Sequence, residues 1–275
     1  MNFDIIKYYF EYLKYKEYIT KLFWYQKYKG FNWIYGQNFG DYLSIVVVAN
    51  LAKKNNFKYM KNIDNKLLSI GSILHFAKDN DIVWGSGING KIDKNMHKFN
   101  NLDVRMVRGP LTKKFLESKN IKVNDTFGDP ALLLSYIFPD LKHKPIKNKI
   151  ILIPNLNEFN ECKKIVPKHI KLISPLRHWK FVLDEILSSE IVYTSSLHGL
   201  ILSEVFKIPV VLFKPFISET IDKYEDYILG TNRSLKTIPK TFIDGFDEKN
   251  GLILDTLSFD YSNMLHKFPT DLFGK

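Results

Sequence analysis

Residues 191–201 read Ile-Val-Tyr-Thr-Ser-Ser-Leu-His-Gly-Leu-Ile. Ile191–Tyr193, β-branched and aromatic, predicts a strand, and Ser195 and Ser196 supply side chains that cap a helix. The apolar positions that follow predict a helix from about Leu197 to Phe206, and Pro209–Phe213 predicts the next strand. Upstream, Ile150–Ile153 and Lys171–Ile173 read as strands. Trp179, Val182, Leu183, Ile186 and Leu187 lie at i, i+3, i+4, i+7 and i+8 of a helix between them and the quoted stretch. Strands that alternate with helices in this way make a parallel sheet with helices on its faces.

The first half has the same rhythm. Phe31–Tyr35 predicts a strand, broken by Gly36, Asn38 and Gly40, with Asp41 as the cap of a helix that carries Leu43, Val46, Val47 and Leu51. Lys66–Ile70, Ile82–Trp84 and Val104–Val107 predict strands. The last ends at Arg108-Gly109-Pro110, with proline at the first position of a helix. Ile121–Phe127 is a further candidate strand. Pro139–Lys149 is polar, basic and broken by prolines, which marks a linker. The expected architecture is α/β, with units at 1–142 and 143–275. Strand ends carrying Gly85-Ser86-Gly87, Arg108, Gly128-Asp129-Pro130 and Ser195–Gly199 would then face one cleft, where ligands of open parallel sheets bind. Residues 4–28 predict an amphipathic helix or helix pair. Its stripe, Ile6, Phe10 and Leu13, continued by Leu22 and Phe23, is expected to pack on its own domain, with membrane docking as the alternative. A closing helix is expected around Asn263–Lys267.

Composition narrows the function. The 275 residues are 45% hydrophobic and 25% charged, which excludes a wholly disordered chain. A single cysteine, Cys162, excludes an internal disulfide and a cysteine zinc cluster. No apolar run reaches bilayer length, and charges interrupt every candidate signal sequence, so a cytoplasmic enzyme is expected, with the inner membrane face as a peripheral site. The net charge of +11 fits nucleic acid, an anionic membrane, an anionic substrate or plain codon bias. The lysines are dispersed, which argues against nucleic acid. Arg105, Arg108, Arg177 and Arg233 are the only arginines able to fork a carboxylate or phosphate.

Read singly, the candidate site residues have two explanations each. Ser195 and Ser196 cap a helix or hold a phosphate. His198 titrates near neutral pH or bonds a backbone carbonyl. Glu204 orients a ligand hydroxyl or is solvated. Asn38 and Asp41 lie in a glycine-flanked turn that caps a helix or cradles a ligand, and Asp129 reads as a turn residue. Arg108 and Arg177 sit near strand ends, and Lys223 belongs to a charged, aromatic surface helix, Lys223–Tyr227. No metal-ligand spacing is present, so no metal is expected.

Taken in order, Asn38–Asp41, Gly71–Leu74, Val83–Gly87, Val107–Thr112, Gly128–Leu133, Ser195–Ile201, Ile208–Val210 and Lys223–Tyr227 resemble the polysaccharide pyruvyltransferase family over residues 33–228. The resemblance implies a GT-B-like fold of two Rossmann-like domains facing a cleft, with the acceptor on the first and the donor on the second. It implies transfer of pyruvate from phosphoenolpyruvate, as a ketal, onto a sugar of a bacterial-type surface polysaccharide or its precursor, free or lipid-linked, without a cofactor. The family histidine maps to His198, the expected acid/base, and a family arginine to Arg108, the expected anion clamp. Arg177 and Lys223 would assist, Ser195 and Ser196 would hold phosphate, and Asn38, Asp41 and Glu204 would meet sugar hydroxyls. The competing readings are a GT-B glycosyltransferase using a nucleotide-sugar and a non-catalytic basic module that binds glycan or nucleic acid.

Overall fold

The computed structural model describes residues 3–23, 37–216, 220–242 and 251–275. The first half runs α1 (Phe3–Tyr15), β1 (Leu22–Phe23), α2 (Phe39–Lys54), β2 (Tyr59–Met60), β3 (Leu67–Leu68), β4 (Ile82–Trp84), β5 (Asp103–Met106), α3 (Pro110–Glu117) and α4 (Leu134–Ile137). The second half runs β6 (Ile150–Ile153), α5 (Phe159–Ile165), β7 (Ile170–Leu172), α6 (Trp179–Leu187), β8 (Ile191–Thr194), α7 (Leu197–Val205), β9 (Val210–Leu212) and α8 (Asp222–Gly230). It closes with α9 (Ser262–His266) and β10 (Phe273–Gly274). The fold is α/β. Two separate parallel sheets have strand orders β1-β3-β4-β5 and β7-β6-β8-β9.

The second sheet decides where a ligand can sit. From β6 the chain crosses to β7 on one side and then to β8 on the other. The carboxyl ends of β6 and β8 therefore flank a topological switch point, where the connecting loops diverge and leave a crevice. Register fixes this: Ile150 pairs with Ile191 and Ile153 with Thr194, so Asn155 and Ser195 emerge side by side.

One apolar cluster joins both sheets. Its centre is α2, which is apolar on every side from Phe39 to Ala52 and buries nearly all of its residues, as a helix must when it has no solvent face. The tail returns to the first sheet. The Trp84 indole donates to the Met264 carbonyl (3.2 Å), Phe268 meets Trp84 edge-on, and β10 pairs antiparallel with β2. The basic stretch between the halves is tied to the end of α6, with Lys144 and Ile146 N–H donating to the carbonyls of Leu187 and Ser188.

Several local expectations change. Asn38, not Asp41, caps α2: its Oδ1 accepts the Gly40 N–H at 2.9 Å, which places Asp41 in the first turn. Leu22 and Phe23 do not extend a helical stripe but pair as an edge strand with Leu67 and Leu68. Ile121–Phe127 forms no strand; Phe127 makes a single bridge to Val107, because Lys122, Asn124 and Asp125 interrupt the apolar pattern. Phe31–Tyr35 lies outside the described residues. The largest change is in α1. The face it packs inward carries Asp4, Tyr8 and Tyr15, whereas Ile6, Phe10 and Leu13 face solvent. Among the described residues no helix is long and apolar enough to cross a membrane.

Candidate functional site

A cleft of about 500 Å³ opens where the carboxyl ends of the two sheets approach each other. One wall follows β3 and β4 and includes Gly71, Ser72, Phe76, Asn89 and Lys91. The other follows β6 and β8 and includes Asn155, Asn157, Ser196 and His198. Asn38 and Asp41, from the start of α2, and Lys223, from α8, complete it. The N-termini of α2 and α7 both reach the cleft. Each brings the positive end of a helix dipole, which favours an anion, and at α2 the Phe39 and Gly40 N–H groups already donate to the Pro175 carbonyl and to Asn38 Oδ1.

The turn from β8 into α7 divides its two serines. Ser196 is the N-cap, extended in backbone, with its Oγ 3.4 Å from the Gly199 N–H, and it lines the cleft. Ser195 points inward. It donates to Glu158 Oε2 (2.6 Å) and accepts the Asn155 N–H (3.0 Å), while its carbonyl accepts the Tyr224 hydroxyl (2.6 Å). Ser195 thus staples the ends of β6 and β8 to α8 and has no free face for phosphate.

His198 is in the first turn of α7 and 9% exposed. Its ring lies against the backbone of Gly40, where a Cβ would stand 2.1 Å from Nδ1, so only glycine lets α2 approach this closely. His198 Nε2 is 3.7 Å from Asp129 Oδ2. Both atoms are buried and neither is hydrogen-bonded. The other oxygen of Asp129 accepts the Ala131 N–H at 3.0 Å, which holds the carboxylate towards the ring. Asp129 is therefore a turn residue, as its Gly-Asp-Pro context suggests, and also the neighbour of the histidine. Asp41 completes the group. Burial pushes its carboxyl up to about 6, opposed by the positive fields of His198 and Lys223 and reinforced by the negative charge of Asp129. An acid, a base and an ammonium group thus share one half-dry corner of the cleft.

The expected arginine clamp is not on the cleft wall. Arg108 has no exposed surface. Its Nε and Nη2 both lie 3.0 Å from Asp226 Oδ2, Nη1 donates to Ser72 Oγ (2.7 Å) and Nη2 to the Ile88 carbonyl (3.0 Å). Asp226 also accepts the N–H groups of Leu111 and Thr112 and the Thr112 hydroxyl, so it caps α3 from α8. With its fork spent on protein, Arg108 meets the cleft only through Ser72. Arg177 is also elsewhere. It pairs with Asp4 and stacks over the Phe181 ring at 3.5 Å, joining α1 to α6. Glu204 is turned away too: it pairs with Arg233 (2.6 Å) and accepts the Tyr227 hydroxyl (2.6 Å). The structure thus brings together His198, Ser196, Lys223, Asn38 and Asp41, and adds Asp129, Asn155, Asn157, Asn89 and Lys91. Among the described residues, no three His, Cys, Asp or Glu side chains are arranged to hold a metal ion.

No curated protein matches the chain. In fold, it is similar to the crystal structure of a functionally uncharacterised protein from Klebsiella pneumoniae subsp. pneumoniae NTUH-K2044. The two share 16% identity over 77% of this chain and 90% of that one, with a TM-score of 0.42. The family model of polysaccharide pyruvyl transferase matches residues 2–215, most of the chain, and the chain belongs to that family of transferase enzymes.

Proposed function

We propose that the cleft transfers the pyruvyl group of phosphoenolpyruvate to a saccharide as a cyclic ketal, with His198 as proton carrier. The observation that supports this is the His198–Asp129–Asp41 group beside Lys223, at a cleft reached by two helix N-termini. The donor carries a phosphate and a carboxylate on three carbons. Lys223, Lys91 and the N–H groups at the start of α7 supply the opposite charge.

The reaction needs two proton movements. Two sugar hydroxyl oxygens form bonds to C2 of the donor, the C2–O bond to phosphate breaks, and C3 becomes a methyl group. Of the two hydroxyl protons, one ends on C3 and the other on the departing phosphate. A carboxyl with a pKa of about 6 is mostly ionised at pH 7 and accepts a hydroxyl proton, which is the role given to Asp41. His198, facing the Asp129 carboxylate, delivers a proton on the donor side. The amide oxygens of Asn38, Asn89 and Asn155 accept the N–H groups of Gly40, Lys91 and Asn157, and their amide NH2 groups are the part suited to donate to sugar oxygens.

The test is incubation with phosphoenolpyruvate and a panel of simple glycosides. Inorganic phosphate release coupled to a mass gain of one pyruvyl group per acceptor is expected. Stabilisation by nucleotide-sugars, with no phosphate released from phosphoenolpyruvate, would assign the cleft to glycosyl transfer instead.

A further inference from the structure

Helix α1 is apolar on two sides. Tyr8 and Tyr15 pack into the core, and four further large apolar residues face out: Ile6 is 37% exposed, Tyr9 55%, Phe10 64% and Leu13 40%. At 100° per residue these four share one arc, and Lys7 and Lys14, both exposed, border it. Both acidic residues of α1 are turned the other way and matched. Asp4 pairs with Arg177, and Glu11 accepts the Trp179 indole N–H at 2.7 Å, with His178 Nε2 at 3.2 Å. The outer face therefore carries apolar surface and positive charge, with no carboxylate on the helix to oppose an anionic partner.

The helix is also firmly seated. The Tyr8 hydroxyl donates to the Arg177 carbonyl at 2.9 Å, and the Tyr8 ring lies 4.4 Å from that of Tyr42. Tyr42 follows Asp41, so α1 rests on the segment that carries the cleft residues Asn38 and Asp41. An exposed aromatic stripe on a pinned helix is a surface built to be covered. From this geometry we infer that α1 docks the protein on an anionic lipid surface. Tyr9, Phe10, Leu13 and Ile6 enter the headgroup boundary, and Lys7 and Lys14 sit against lipid phosphates. Lysines along one edge of a bulky apolar arc match the demands of such an interface, whereas a second copy would bring its own lysines against these. The net charge of +11 acts in the same direction. Docking through α1 would hold the cleft beside the membrane, within reach of an acceptor saccharide carried on a lipid.

Co-sedimentation of the full chain with vesicles tests this. Binding to phosphatidylglycerol-containing vesicles is expected to exceed binding to pure phosphatidylcholine vesicles by at least about tenfold, and to weaken at high salt. The exposed double variant Phe10→Ser/Leu13→Ser, and separately Lys7→Glu/Lys14→Glu, should each lose at least about tenfold of that binding. Both should keep the parental melting temperature and turnover on a soluble acceptor. Equal binding to both vesicle types, or variants that bind like the parent, would overturn the inference. A concentration-dependent dimer that disappears in Phe10→Ser/Leu13→Ser, without vesicle binding by the parent, would give this face to a second copy and overturn it as well. None of these readouts depends on the identity of the donor, so the inference and the proposed reaction can fail separately.

Discussion

Arg108 and Asp226 stand 118 residues apart in sequence and form an ion pair with no exposed surface, Nε and Nη2 each 3.0 Å from one carboxylate oxygen. The pair locks α8 against the end of β5 and the start of α3. The approach is close: a Cβ on Gly87 would lie 2.3 Å from the guanidinium carbon. Removing one member of a buried pair costs about 3–5 kcal/mol, because the other charge is left in a dry site.

Arg108→Lys keeps a charge but cannot reach Asp226, Ser72 and the Ile88 carbonyl together. It is expected to lower the melting temperature by roughly 5–10 °C, and Asp226→Asn to do at least as much by uncapping α3. The KM for phosphoenolpyruvate of the folded protein should change by less than about threefold. A KM raised tenfold or more at an unchanged melting temperature would show that the guanidinium reaches the donor directly.

Asp41 predicts a pH effect on stability. Burial raises its carboxyl from the ordinary 3.8 to about 6, so the folded state holds this proton more tightly than the unfolded state. Its contribution to stability is therefore complete below about pH 4 and is lost as pH rises through about 6. Asp41→Asn removes that loss. The variant should melt roughly 2–5 °C above the parent at pH 7.5 and lose this advantage towards pH 4. Turnover should fall at every pH if the carboxylate takes the hydroxyl proton. A melting curve that shifts equally at both pH values would show that Asp41 titrates normally.

These residues show what local sequence could and could not reveal. His198, Ser196 and Asn38 were legible because strand end, cap and first helical turn are contiguous, and the crevice follows from strand order. Local sequence gives Asp129 only as a turn residue, since its approach to His198 depends on where the loop before α4 packs on α7. Arg108, Arg177 and Glu204 look like site residues from local sequence, and the partners that take them out of the cleft, Asp226, Asp4 and Arg233, lie far away in the chain. The stripe of α1 had the right period but the wrong direction. Periodicity identifies an apolar face without saying which side the protein covers.

Asp129→Asn separates positioning from structure. The amide still offers an oxygen to the Ala131 N–H, so the turn should hold and the melting temperature should stay within about 2 °C of the parent. The charge facing His198 is gone, and kcat is expected to fall by roughly 10–100-fold. Asp129 also raises the carboxyl of Asp41, so its loss should move the acid limb of the pH–rate profile to lower pH. A purely structural Asp129 would lower the melting temperature and leave that limb in place.

The strongest demand falls on His198 and the glycine beneath it. The Nε2 atom of His198 makes no hydrogen bond and faces Asp129 at 3.7 Å, so His198→Gln breaks no hydrogen bond at that atom. It should melt within a few degrees of the parent while turnover drops by about 100-fold or more, the scale of a lost acid/base group. Gly40→Ala tests the same point without touching the imidazole. A Cβ there would stand 2.1 Å from Nδ1, so either the ring or the start of α2 must shift. A misplacement of about 1 Å is enough to cost roughly 100-fold in rate. Gly40→Ala should therefore lose most of its turnover yet still gain melting temperature on addition of phosphoenolpyruvate, because Lys223 and the start of α7 remain. Turnover within a few-fold of parent in both variants would remove His198 from the chemistry.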